Sequence, residues 1–298
     1  MFASKYSDKD VGIMVQGFDA KRPAAVDQLK ELLYAHKIVV LKDQTLSEQQ
    51  FCEFSQRLGE PVPYLQQNYH HPQYPLIFVS SNVQKEGQQI GVARTGGYWH
   101  SDTSFMEQPV PLTLLYPQII PKHSRRTTLF IDMQKAFDAM PQEMRRKLVS
   151  RRFIHSGKWR YKVRTEDVGF DINEILQRIQ KSRPAVTHPA VITHPVTGAQ
   201  MLYVSHGFTV GVQGLGTDEG QALLDEVLAF VEQPCFVHEF QWAPGDIILW
   251  DNRFFAHKAG RLAAGDDPHV AEAAIEEDTL VYRIIIRDGH ALSGQAAA

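Results

Sequence analysis

His100 and Asp102 stand two residues apart in Gly96-Gly-Tyr-Trp-His-Ser-Asp-Thr-Ser-Phe105. On a strand or extended turn, alternate residues leave the same face, so an imidazole nitrogen and a carboxylate oxygen emerge side by side. Joined by one distant histidine, they make the two-histidine, one-carboxylate set that holds Fe(II) on one side and leaves positions open for substrate and oxygen. His-x-Asp recurs in chains that bind no metal, so the third ligand decides. The candidates include His155, His188, His194, His206, His238, His257 and His290. Spacing does not choose among them. His257 has the best local setting, because it follows the apolar Ile247-Ile-Leu-Trp250 and the polar Asp251-Asn-Arg253, where a strand end meets a loop. Most of the others read as surface or hydrogen-bonded structural histidines.

The chain that must position these groups has 298 residues, 43% apolar and 22% charged, enough for one large domain over 1–298 with a substantial core. No internal repeat or dividing linker is visible. A net charge of −3 lacks the basic excess of a nucleic-acid-binding domain, so no nucleic-acid partner is expected and any anion must be bound locally. Cys52 and Cys235 lie far apart and match no zinc spacing, which suits a reducing cytoplasm. The first ten residues carry charges where a signal peptide needs an apolar core, and no run of about 18 apolar residues occurs, so neither secretion nor a membrane span is expected. Oligomeric state stays open, a homo-oligomer included.

Apolar residues at helical spacing predict a helix over 24–36, followed by the buried strand Ile38-Val-Val-Leu41. A second helix opens at Leu46-Ser47, with Phe51, Phe54 and Leu58 on one stripe and Gly59 as its C-cap. Residues 61–75 read as an ordered loop of the kind that carries binding groups, and 82–95 as a polar stretch. Short strands follow at 76–80, 112–116 and 127–131. A helix is expected over 134–150, where Pro141 is tolerable only in the first turn of a second segment. The mixed stretch 151–190 holds Arg151, Arg152, Lys158, Arg160, Lys162 and Arg164, a solvated cationic face. A hairpin at 190–204, a helix from Thr217, and strands at 247–250 and 279–286 complete a mainly β chain with peripheral helices, of jelly-roll type.

Trp99-His-Ser-Asp102, Pro244-Gly-Asp-Ile-Ile-Leu-Trp-Asp-Asn-Arg253, His257 and Tyr282-Arg283 together resemble the TauD/TfdA family of Fe(II)/2-oxoglutarate-dependent dioxygenases, over nearly the whole chain. The resemblance implies a double-stranded β-helix with His100, Asp102 and His257 as iron ligands. It implies that Thr128 touches 2-oxoglutarate and that Arg283 pairs with its distal carboxylate; a guanidinium fork holds such a group through two hydrogen bonds. Iron, 2-oxoglutarate and O2 are the expected cofactor and cosubstrates. The segment from Lys258 to Asp278 is longer than the family pattern leads one to expect, which bears on Arg283 more than on the ligands.

Within the family, Val62-Pro-Tyr64 with Tyr69-His-His71, Ile77-Phe-Val-Ser-Ser81, Thr95-Gly-Gly-Tyr-Trp-His100, Lys162-Val-Arg-Thr-Glu-Asp-Val168 and His194-Pro-Val-Thr-Gly198 resemble the dioxygenases that form isonitriles in lipopeptide biosynthesis. Those enzymes oxidise an N-carboxymethyl-amino acid with loss of CO2. The resemblance implies substrate contacts from Tyr64, Tyr69, Arg126 and Lys162. Two positions depart from it: Leu65 stands where a tyrosine is expected, and Arg261 where a histidine is. A small anionic substrate is therefore expected, with a hydroxylase of taurine, a sulfonate or another small carboxylate as the alternative. From another class, a non-catalytic β-sandwich binding protein would lack a triad member or the cosubstrate arginine, and neither is missing. A zinc hydrolase fits less well, since no general base or second metal cluster is apparent.

Overall fold

All five residues of the strand Ile247–Asp251 are buried. A strand covered on both faces reads as a near-continuous apolar run, here Ile247-Ile-Leu-Trp250 closed by Asp251, whose charge is paired with Arg253, and its side chains divide by alternation. Ile247 and Leu249 join a core with Leu29 and Leu33 of the helix Val26–His36 and with Phe51, Phe54 and Leu58 of the helix Glu48–Leu58. Ile248 and Trp250 take the opposite face. The strand pairs antiparallel with Ile38–Leu41 and with Leu112–Ile119. Leu112–Ile119 pairs in turn with Leu280–Arg287, which also borders Glu60–Val62 and Phe78–Ser81.

These strands belong to an eight-stranded sheet, whose far edge is made by Phe2–Lys5 and Ile13–Gln16. A second sheet, of three strands, has the order Val237–Gln241, Arg125–Asp132, Phe255–Leu262. This computed structural model describes residues 2–6, 11–22, 26–85, 87–93, 95–122, 125–262 and 277–294. Its chain divides into two units: Met1–Gly97 with Val110–Phe130 and His238–His290, and Tyr98–Pro109 with Ile131–Val237 and Ala291–Ala298. The second unit has a sheet in the order Val186–Pro189, Arg152–His155, Thr209–Val212, and a hairpin of Val191–Thr193 with Gln200–Leu202 that Ser293–Gly294 extends. Its longest helix is Thr217–Val231. Among the described residues no helix is long and apolar enough to cross a membrane.

Several local expectations are met and several corrected. Ser47 caps the second helix by a capping box with Gln50. Gly59 is the C-cap, as expected, with a φ of 161° that is extended backbone and not left-handed. A Cβ there would lie 2.1 Å from the carbonyl oxygen of Arg287, so the glycine also serves close strand approach. The helix expected over 134–150 is two, Met133–Ala139 and Gln142–Leu148, with Pro141 as the N-cap of the second, one residue before its first turn. The polar stretch 82–95 contains a short hairpin, Gln84–Lys85 with Gln88–Gln89. The mixed stretch 151–190 hides the strand Arg152–His155 and the helix Ile172–Ser182. Ile172, Ile175, Leu176 and Ile179 recur there at helical spacing, although only Ile175 is buried.

Candidate metal centre and cosubstrate site

His100 and Asp102 lie on a tight turn. Ser104 N donates to Ser101 O and Met106 N to Thr103 O, and Thr103 adopts a positive φ of 58°. A β-branched residue in that region costs roughly 1–3 kcal/mol, a strain that surrounding structure must hold in place. His188, on the neighbouring strand, donates from Nε2 to the carbonyl of Met106 at 3.0 Å and ties the turn down. His100 Nδ1 lies 2.7 Å from the carbonyl of Tyr98. A carbonyl only accepts, so Nδ1 carries the proton and Nε2 keeps its lone pair. That Nε2 is 3.7 Å from Asp102 Oδ1, both groups buried. Tyr98 and Phe208 pack on the imidazole at 5.1 and 5.9 Å between ring centroids.

His257 is the third residue of its strand, buried, with its ring stacked on Phe130 at 5.9 Å and edge-on to Trp250 at 4.9 Å. Among the described residues, His100, Asp102 and His257 are the group that could hold a metal ion: one ligand atom from each, all within 4.8 Å of one another. Two neutral imidazoles and a carboxylate are the donor set suited to Fe(II), and three ligands leave positions open.

Other histidines have different roles. His194 Nδ1 accepts from the backbone N–H of Val196 and Thr197 and closes the hairpin turn. His206 is exposed beside Glu232. His155 packs against His188 and Tyr203, and burial with the nearby His188 pushes its pKa down to about 3.

Thr128, Phe130 and Arg126 alternate along one strand and so share a face. Thr128 Oγ1 accepts the indole N–H of Trp242 at 2.9 Å, and Arg126 Nη2 donates to Thr279 Oγ1 at 3.3 Å. Across the large sheet, Ile248, Leu115, Arg283 and Phe78 are successive partners on four strands, which puts the Arg283 guanidinium over the Phe78 ring. Tyr64 and Tyr69, expected to meet the substrate, pack on that same Phe78 at 5.0 and 4.6 Å, and Tyr64 also faces Arg283 at 5.5 Å. The two tyrosines thus cluster with the arginine expected to hold the cosubstrate. Lys162 is half-buried in the irregular segment after Arg160. The side chain of Arg261 lies outside the described residues, although its backbone continues the His257 strand.

Sequence reading did not single out Trp242, Asn252 or His188 as supports of the site. A buried or half-buried tryptophan needs a partner for its N–H, and Trp242 just before Pro244-Gly245 was the available signal.

The profile of the family described as "Taurine catabolism dioxygenase TauD, TfdA family" matches residues 6–273. Pentalenolactone F synthase of Streptomyces arenae is 28% identical over 238 residues, 78% of this chain and 80% of that protein. The alpha-ketoglutarate-dependent 2,4-dichlorophenoxyacetate dioxygenase of Cupriavidus pinatubonensis is 25% identical over 292 residues, 94% of this chain and 96% of that protein. The crystal structure of a taurine dioxygenase from Burkholderia xenovorans matches with a TM-score of 0.73 at 23% identity, over 100% of this chain and 95% of that one. Its fold, and the fold here, is the jelly roll with peripheral helices. The chain belongs to the TauD/TfdA family and is an Fe(II)- and 2-oxoglutarate-dependent dioxygenase, an oxidoreductase that consumes O2.

Proposed function

We propose that residues 1–298 act as one catalytic domain in which His100, Asp102 and His257 hold the iron, Thr128 and Arg283 bind 2-oxoglutarate, and the substrate is a small carboxylate bearing its carboxymethyl group on a heteroatom, an N-carboxymethyl-amino acid above all. The observation that carries the metal assignment is the buried group of two imidazoles and one carboxylate. Bound there, iron with 2-oxoglutarate supplies the oxidising power for a C–H bond beside the heteroatom. The chain's own residues hold ligand geometry, exclude water and orient the substrate. His100 reaches its ligand role with its tautomer already set by Tyr98.

The substrate class is supported from two sides. Tyr64, Tyr69, Arg126 and Lys162 match the residues that bind carboxylates in the isonitrile-forming group, and an anion beside a cationic metal site is favoured electrostatically. The relative from Cupriavidus pinatubonensis is named for 2,4-dichlorophenoxyacetate, in which an O–CH2–CO2⁻ unit takes the place of N–CH2–CO2⁻. Loss of CO2 to an isonitrile would need two successive oxidations of that carbon, while a single hydroxylation would release the heteroatom. Leu65 and the Arg261 position would reshape the pocket more than the reaction. The two free thiols, Cys52 buried and Cys235 exposed, suit a reducing cytoplasm.

The test is an anaerobic titration of the Fe(II)/2-oxoglutarate enzyme with N-carboxymethyl-amino acids, phenoxyacetates and taurine, followed by the charge-transfer absorption band and then by succinate formed on admitting O2. N-carboxymethyl-amino acids should perturb the band and raise succinate most. Rapid taurine turnover with sulfite release and no response to any carboxymethyl compound would discard this substrate class in favour of a sulfonate hydroxylase.

A further inference from the structure

We infer that Asn252, acting through Trp250, is a positioning residue for His257. The inference rests on the proposed iron site and goes beyond it by naming what sets the angle of one ligand. Trp250 and Asn252 are both buried, and the indole N–H donates to Asn252 Oδ1 at 2.8 Å. The amide nitrogen of Asn252 donates to Thr113 Oγ1 at 2.8 Å and to the carbonyl of Val110 at 3.3 Å. Its carbonyl oxygen and both N–H groups are therefore occupied, and a flip would aim an NH2 at the indole N–H. The orientation of Asn252 is fixed.

From there the constraint reaches the imidazole. The Trp250 ring stands edge-on to His257 at 4.9 Å and 66°, and Phe130 lies nearly parallel on the imidazole at 5.9 Å and 29°. Phe130 and Trp250 also meet each other at 5.3 Å, so the two rings form a rigid bracket. Rotation of Trp250 about its own bonds would tilt the imidazole, and the bond to Asn252 opposes that rotation. Arg253 anchors the turn between the strands: its Nε donates to Asp251 Oδ1 at 2.8 Å, and its Nη2 to Asp251 Oδ2 at 2.6 Å and to Asp288 Oδ2 at 2.5 Å. Groups that orient a metal ligand from outside the coordination shell affect affinity nearly as much as some ligands do, by about 10- to 100-fold.

A tryptophan N–H also needs a partner simply because it is buried, so the test must separate orientation from core stability. Fe(II) is titrated anaerobically into the full chain with 2-oxoglutarate present, and the dissociation constant and the position of the charge-transfer band are read for Trp250→Phe and Asn252→Ala. Trp250→Phe keeps an aromatic ring near His257 and deletes only the N–H and one ring. Tyr116→Phe is the control for stability, since it removes a buried hydroxyl that donates to the Gln44 carbonyl at 3.2 Å and accepts from Leu46 N at 3.1 Å, outside the Trp250–Asn252–Arg253 network. The expected result is a dissociation constant raised about 10- to 100-fold with a displaced band in both test variants, and neither change in the control. Should Trp250→Phe fail to fold, Asn252→Ala carries the same reading. Wild-type iron affinity and an unmoved band in folded Trp250→Phe and Asn252→Ala would overturn the inference, leaving these residues to core stability. Wild-type iron affinity in His257→Ala would instead overturn the site on which the inference stands.

Discussion

The guanidinium carbon of Arg283 lies 4.0 Å from the centroid of the Phe78 ring, and the two residues are direct partners across neighbouring strands. A cation held over an aromatic face is fixed in direction before any anion arrives, at about 0.5–2 kcal/mol. Arg283→Ala is expected to raise the Michaelis constant for 2-oxoglutarate, since loss of the proposed charge pair to its distal carboxylate would cost about 2–5 kcal/mol. Arg283→Lys should recover little of it, because an ammonium cannot fork across a carboxylate. Steady-state kinetics with 2-oxoglutarate varied decide the matter. An effect confined to the other substrate would move the cosubstrate cation elsewhere; Arg287 is occupied with Glu60 at 3.2 Å and is the next to test.

His100→Ala, Asp102→Ala and His257→Ala should each lose Fe(II) binding and turnover while circular dichroism stays that of the folded chain. Each deletes one of the three proposed ligands. Exposed His206, paired with Glu232, supplies the contrast, and His206→Ala should retain full activity. Turnover that survives in His257→Ala but not in a His206 or His238 variant would reassign the third ligand.

Acid should destabilise the fold through His155. Its folded pKa lies at about 3 against 6.5 for the free side chain, because burial and then the charge of His188 disfavour the imidazolium. Above pH 6.5 both states hold it neutral and it contributes no pH dependence. As pH falls from about 6.5 toward 3, the unfolded chain takes up a proton that the fold refuses, so stability drops with a slope approaching about 1.4 kcal/mol per pH unit for this one site. His155→Phe should flatten the melting temperature against pH over that window. An unchanged slope would mean that the fold accommodates the charge.

Gly260 is packed so tightly that a Cβ would stand 2.1 Å from Thr127 Oγ1 and 3.3 Å from Leu129 Cγ. Gly260→Ala should cost about 1–3 kcal/mol of stability through overpacking. The double variant Gly260→Ala with Thr127→Ala removes the clashing oxygen and should recover much of the loss, as urea titrations of the two would show. Equal stability of single and double variants would locate the strain in the backbone instead.

Local chemistry explains which of these features were legible in the chain. His100, Asp102 and the apolar strand before His257 could be read because ligand atoms and strand alternation are properties of neighbouring residues. The jelly-roll class followed from many short apolar runs broken by turns. The helix Ile172–Ser182 was overlooked although Ile172, Ile175, Leu176 and Ile179 mark an apolar stripe, because the cationic residues ahead of it gave the whole stretch a solvated reading. Gly59 was read correctly as the cap of its helix, but its close approach to the carbonyl of Arg287, far along the chain, lies in no local pattern. The company of Arg283 was hidden for a similar reason: Phe78 and Tyr64 meet it through strand pairings that no local pattern encodes.

The strand Leu280–Arg287 lies inside the large sheet, paired with Leu112–Ile119 on one side and with Phe78–Ser81 and Glu60–Val62 on the other. During synthesis the ribosome must therefore release the chain through residue 287 before that sheet can close. Until then Leu112–Ile119 presents an open apolar edge, the kind of surface on which nascent chains aggregate or recruit chaperones. Premature termination before residue 280 would delete no proposed iron ligand, yet it should yield an insoluble product.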